Sequence, residues 1–87
     1  MKAERRKRIK TNIIGDRVIL ARERQRLTRN DLLMKLQSLG LNMSLRTLSL
    51  LERRKRRVTD KEVVALAMAL NVSVNWLFGV EDEKTDL

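Results

Sequence analysis

Apolar residues recur at helical spacing in successive stretches of this chain, each closed by a short polar break. In the first, Ile14, Val18 and Ala21 share the inner face of a helix expected from residue 13 to about residue 25, with Leu27 closing the corner behind it. Ile13 and Leu20 fall on an adjoining face and Ile19 outside both, more aliphatic surface than a small lone helix needs. The second opens at Thr28, which forms a weak capping box with Asp31, and carries Leu32, Leu33 and Leu36. It breaks at Leu39-Gly40-Leu41-Asn42, where Gly and Asn tolerate the positive φ of a reversal. Ser44, a good N-cap, starts a third helix over about residues 44 to 53, with Leu48 and Leu51 as its inner pair. Thr59 and Glu62 form a stronger capping box for a fourth helix over residues 60–70, lined by Val63, Leu66, Ala67 and Leu70, with Asn71 as its left-handed cap. A short fifth runs from Ser73 through Trp76, Leu77 and Phe78 to a stop at Gly79.

That pattern predicts an all-α fold, a compact five-helix bundle, and the composition narrows its class. A length of 87 residues allows one domain with one small core, and the absence of Pro and Tyr with only 3 Gly disfavours a β fold. Without Cys or His there is no disulfide, no Cys/His metal site and no histidine acid or base. No apolar run approaches the roughly 20 residues of a membrane span, so a soluble, cytoplasmic protein without membrane attachment is expected. The expected organisation is a basic flexible arm over residues 1–11, a helical domain over 12–79 and a frayed acidic tail over 80–87.

Charge then points to a partner. A net +9 calls for a polyanion, and its distribution is uneven: the start reads MKAERRKRIK, the third helix runs into RRKRR at 53–57, and the end is acidic. Two short helices joined by a tight turn, with a basic exit, read as a helix-turn-helix that approaches nucleic acid with one face. The arm itself has two readings, tracking phosphates or a minor groove, or a solvated tail.

Several pieces of the chain, in order, resemble the XRE/Cro-like repressors with the lambda-repressor type of DNA-binding domain. They are Ile14-Gly15-Asp16-Arg17-Val18, Ala21-Arg22, Leu27-Thr28, Leu32, Thr47-Leu48-Ser49, Leu51-Glu52, Asp60 onward and the closing VVALAMALNVSVNWLFG. The resemblance implies double-stranded DNA as partner, no cofactor, and the third helix in the major groove. It implies an ion pair between Arg22 and Glu52 that sets the angle of that helix and turns Arg22 toward a phosphate. Thr28 and Arg29 match the helix terminus that such repressors hold against the DNA backbone, where free N–H groups suit a phosphate.

With Leu48 and Leu51 inward, Leu45, Arg46, Ser49 and Leu50 project outward as base contacts, joined by Thr47. Arg46 is the best specific reader, because its fork matches O6 and N7 of guanine. Leu45 and Leu50 offer only apolar surface to a thymine methyl, or tuck against Met43 or the second helix. Ser44, Arg53, Lys55 and Arg56 are the further phosphate candidates. Three departures stand out: Leu33 where a small residue is usual, a turn a few residues longer than the common one, and Arg54 where Gly is common. Relatives generally bind as symmetric dimers on inverted repeats, and Val74, Trp76 and Phe78 are the candidate dimer surface. Alternatively, Leu77 and one aromatic cap the core.

A transcriptional repressor, Cro-like or controller-like, or the DNA-binding half of a longer chain, follows from this. The alternative is an antitoxin-like module that holds a protein partner and regulates itself through DNA. A non-specific binder of single strands fits poorly with so few stacking aromatics. An enzyme is not expected: Asp16, Asp31, Glu52 and Glu62 offer carboxylates, but nothing supplies a nucleophile–base set or a metal cage.

Overall fold

The computed structural model describes residues 11–80; the basic stretch before them and the acidic stretch after them, for which an arm and a tail are expected, lie outside the described residues. The described residues form helices α1 (Gly15–Arg24), α2 (Arg29–Ser38), α3 (Leu45–Glu52), α4 (Asp60–Leu70) and α5 (Val74–Phe78), with no strand among them. The fold class is the one the apolar spacing predicts. Ile14, Val18, Leu32, Leu36, Leu48, Leu51, Leu66, Leu70 and Leu77 are almost wholly buried in one core that all five helices feed.

Local chemistry sets the boundaries. Thr28 and Asp31 form a complete capping box, as do Thr59 and Glu62, while Ser44 and Ser73 cap α3 and α5 through their hydroxyls. Asn71 closes α4 at φ 57°, the left-handed cap anticipated for it. The first helix starts two residues later than its apolar pattern predicts, at Gly15 rather than Ile13, because Asn12 takes over the start. The Asn12 side-chain oxygen accepts from the backbone N–H of Ile14 and of Gly15, at 3.1 and 2.9 Å.

The long turn between α2 and α3 is well anchored. Gly40 sits at φ 91°, and Leu41 N–H reaches back to the Leu36 carbonyl at 2.9 Å, closing α2 in a Schellman-like reversal. Leu33, Leu41 and Met43 are partly buried, each packed against the core. Asn42 and Met43 of the long turn line one cleft with Leu33, the large residue that stands where a small one is usual.

Candidate nucleic-acid interface

The site is organised around the carboxylate of Glu52, whose side chain is fully buried at the last residue of α3. Such a carboxylate is costly to bury unless paired and fully bonded. Arg22 of α1 supplies Nε to Oε2 at 2.8 Å and a longer Nη2 contact of 3.4 Å to Oε1. Arg29, the first residue of α2, donates its Nε to Oε1 at 2.8 Å. One acid therefore ties three helices together and leaves one net positive charge.

The two arginines differ in what remains available. Arg22 also donates from Nη1 to the Leu27 carbonyl, and only 10% of its side chain is exposed. Its geometry is that of a brace. Arg29 is 43% exposed, and Nε is the only part of its guanidinium engaged among the described residues. Beside it, the N–H groups of Arg29 and Asn30 have no intrahelical acceptor, whereas Asp31 N–H is taken by the Thr28 hydroxyl. The family resemblance pairs Glu52 with Arg22; the contact with Arg29 has no signal of its own in the sequence.

A second junction fixes the same end of α3. The Asn12 amide donates from Nδ2 to the carbonyls of Leu51 and Arg56, at 3.0 and 2.9 Å. Gly15 packs so tightly that a Cβ there would stand 2.6 Å from the Leu51 carbonyl oxygen and 2.8 Å from that of Glu52. Glycine is required by this approach of two backbones. Arg54 follows at φ 61°, a left-handed conformation that costs an L side chain about 1 kcal/mol or more. It carries the strain in the place where a Gly is common. Its Nη1 reaches Asp16 at 3.1 Å, while its buried Nε finds no partner among the described residues.

Past α3 the basic run divides into tethered and free members. Arg54 is held by Asp16 and Arg56 by Glu62, the latter at 3.0 Å. Arg53, Lys55 and Arg57 are exposed and make no side-chain bond among the described residues. Arg56, expected as a phosphate ligand, is thus partly committed, and Arg57, passed over in the sequence, is available. Composition alone does not separate members of RRKRR; the position of Glu62 does.

On α3 itself, Arg46 and Leu45 are exposed, Leu45 by 49%. Thr47, Ser49 and Leu50 are half-buried. The Ser44 hydroxyl accepts from Thr47 N–H and donates to the Thr47 hydroxyl, so both are occupied in the cap. Of the residues expected at a dimer surface, Trp76 is 2% exposed and lies in the core, with the Arg17 guanidinium 4.6 Å from its ring centroid. Trp76 and Leu77 together cap the core, while Val74 is half-buried and Phe78 is 39% exposed. At this end of the molecule Phe78 is the exposed aromatic and Trp76 the buried one.

No helix among the described residues is long and apolar enough to cross a membrane. Comparison with curated proteins and with solved structures gives no match. The sequence model of the helix-turn-helix family matches residues 19–77, a span from α1 to α5 that includes Arg22, Arg29, Glu52 and all of α2 and α3. The chain belongs to the XRE type of helix-turn-helix DNA-binding regulators.

Proposed function

We propose that this protein is a sequence-specific repressor that binds double-stranded DNA as a symmetric dimer on an inverted repeat and occludes a promoter. The carrying observation is the Glu52 junction. It holds the N-terminus of α2, with Arg29 half-exposed, beside the C-terminal end of α3. A phosphate at the α2 terminus meets two free N–H groups and a guanidinium already oriented by a buried acid. Arg53, Lys55 and Arg57 extend the positive track along the exit from α3. With the backbone held in this way, α3 presents Arg46 and Leu45 to the major groove, with Thr47, Ser49 and Leu50 at its flanks.

One module covers only about 600–1,000 Å² of DNA, which favours two copies on half-sites about one helical turn apart. Phe78, Val74 and the neighbouring Ile13 offer the apolar surface for that contact. Selection from a random duplex pool tests the reading. An enriched inverted repeat with half-sites about 10 base pairs apart is expected. Arg46→Ala then costs about 1–3 kcal/mol at the selected site and flattens preference at one position. Equal weakening on every sequence would make Arg46 a phosphate ligand instead, and no enrichment with collapse in salt would leave a non-specific basic binder.

A further inference from the structure

The turn between α2 and α3 forms one wall of an open cleft of about 520 Å³ lined by Asn30, Leu33, Met34, Gln37, Asn42, Met43 and Ser44. Its polar lining is three carboxamides, Asn30, Gln37 and Asn42, together with the cap residue Ser44. Elsewhere in the fold, buried or bridging carboxamides are engaged: Asn12 is saturated by four backbone partners, and Gln25 donates to the Leu70 carbonyl at 2.7 Å. Asn30, Gln37 and Asn42 are exposed and make no side-chain hydrogen bond among the described residues. Asn30 stands in the first turn of α2 beside Arg29, and Asn42 stands two residues before the cap of α3. The cleft therefore opens between the two helix termini that a helix-turn-helix turns toward DNA. Leu33, Met34 and Met43 add apolar lining beside the amides, with Met34 itself well exposed.

We propose that this turn is a second reading element, in which Asn42, supported by Asn30, recognises an A·T pair next to the base pair read by Arg46. A carboxamide bonds N6 and N7 of adenine in a bidentate pair, and neighbouring apolar side chains accommodate the thymine methyl group. Arg46 alone distinguishes guanine; the added turn residues widen the half-site by a position of different chemistry. The inference rests on the DNA-reading function proposed above, and its failure is separable from the failure of that function.

The test is selection from a random duplex pool with the whole chain, its Asn42→Ala, Asn42→Gln and Asn30→Ala variants, and Arg46→Ala alongside. Binding is then measured on duplexes with the A·T pair replaced. Asn42→Ala is expected to abolish the preference for adenine, about 5- to 100-fold, while the guanine read by Arg46 stays selected. Asn42→Gln restores part of the preference, and Asn30→Ala weakens it less. Because both asparagines are exposed, thermal melting of the variants should match the parent. A selected motif that Asn42→Ala leaves unchanged, or weakens equally at every base, would overturn this inference alone. No selected motif for the parent chain would overturn it together with the base-reading function.

Discussion

The two ends of α3 are built on opposite plans. At the C-terminal end, Asn12, Gly15, Arg22 and Arg29 all converge on Leu51 and Glu52, and nearly every polar atom there is matched. At the N-terminal end, Ser44 caps the helix through its own first turn, and the neighbouring side chains Asn42, Leu45 and Arg46 are exposed. One end fixes where the helix lies, and the other carries the groups proposed to read the base sequence. A reader needs both, because a base contact discriminates only if the helix cannot shift to accommodate the wrong base.

The largest effect that would test this contrast is expected at Glu52. Glu52→Ala leaves Arg22 buried without its counter-ion, and breaking such a pair costs about 3–5 kcal/mol. That is a large share of the stability of a small domain, and urea or thermal melting should show it. Arg46→Ala, on the same helix, should change melting by no more than about 0.5 kcal/mol, as an exposed site away from caps and core does. Similar losses from both would abolish the distinction between the ends.

Gly15→Ala sharpens the comparison, since it adds one methyl group and removes no bond. The added Cβ would meet two backbone oxygens, which have little room to yield, as well as Cγ of Arg54. A loss of about 1–3 kcal/mol is expected, lowering the melting temperature by about 4–8 °C per kcal/mol for a domain of this size. Specific DNA binding should also weaken beyond what the lost stability explains, because α1 and α3 must separate. A variant that melts like the parent would mean that the junction tolerates movement.

The contrast also explains what was legible in the sequence. Capping residues act within one turn, so Thr28, Ser44, Thr59, Asn71 and Ser73 announce their helices, and Leu and Val spacing gives the core. The family pieces mark Arg22 and Glu52 as partners. Hidden from local reading were contacts fixed by the path of the backbone: Asn12 reaching 39 residues ahead to Leu51, Arg29 sharing Glu52, and Glu62 partly engaging Arg56. Trp76 was ambiguous for the same reason, since an aromatic on a terminal helix serves a core or an interface equally well. Its burial beneath Arg17 depends on how α1 and α5 meet.

The smallest effect expected concerns the α2 terminus, where Asp31 stands close to the proposed phosphate position. The Thr28 backbone N–H, and then its hydroxyl, hold the Asp31 carboxyl below the ordinary carboxylate value. A depressed value means that the folded state favours the ionised form. The stabilisation is therefore complete above the ordinary carboxylate pKa and disappears as pH falls through the lowered one. Because Asp31 is fully exposed, the change is confined to fraying of the first turn of α2 under acid and leaves neutral pH untouched. NMR titration of the Asp31 carboxyl, followed with amide exchange at Asp31, should show both changes together. Thr28→Ala removes the hydroxyl but keeps the backbone donor, so the carboxyl should stay below its ordinary value, though less so. A return to the ordinary value in Thr28→Ala would show that the hydroxyl, not the backbone, governs the box. The orientation of Arg29 against Glu52 would be unaffected in either case, since that contact belongs to the fixed end of α3.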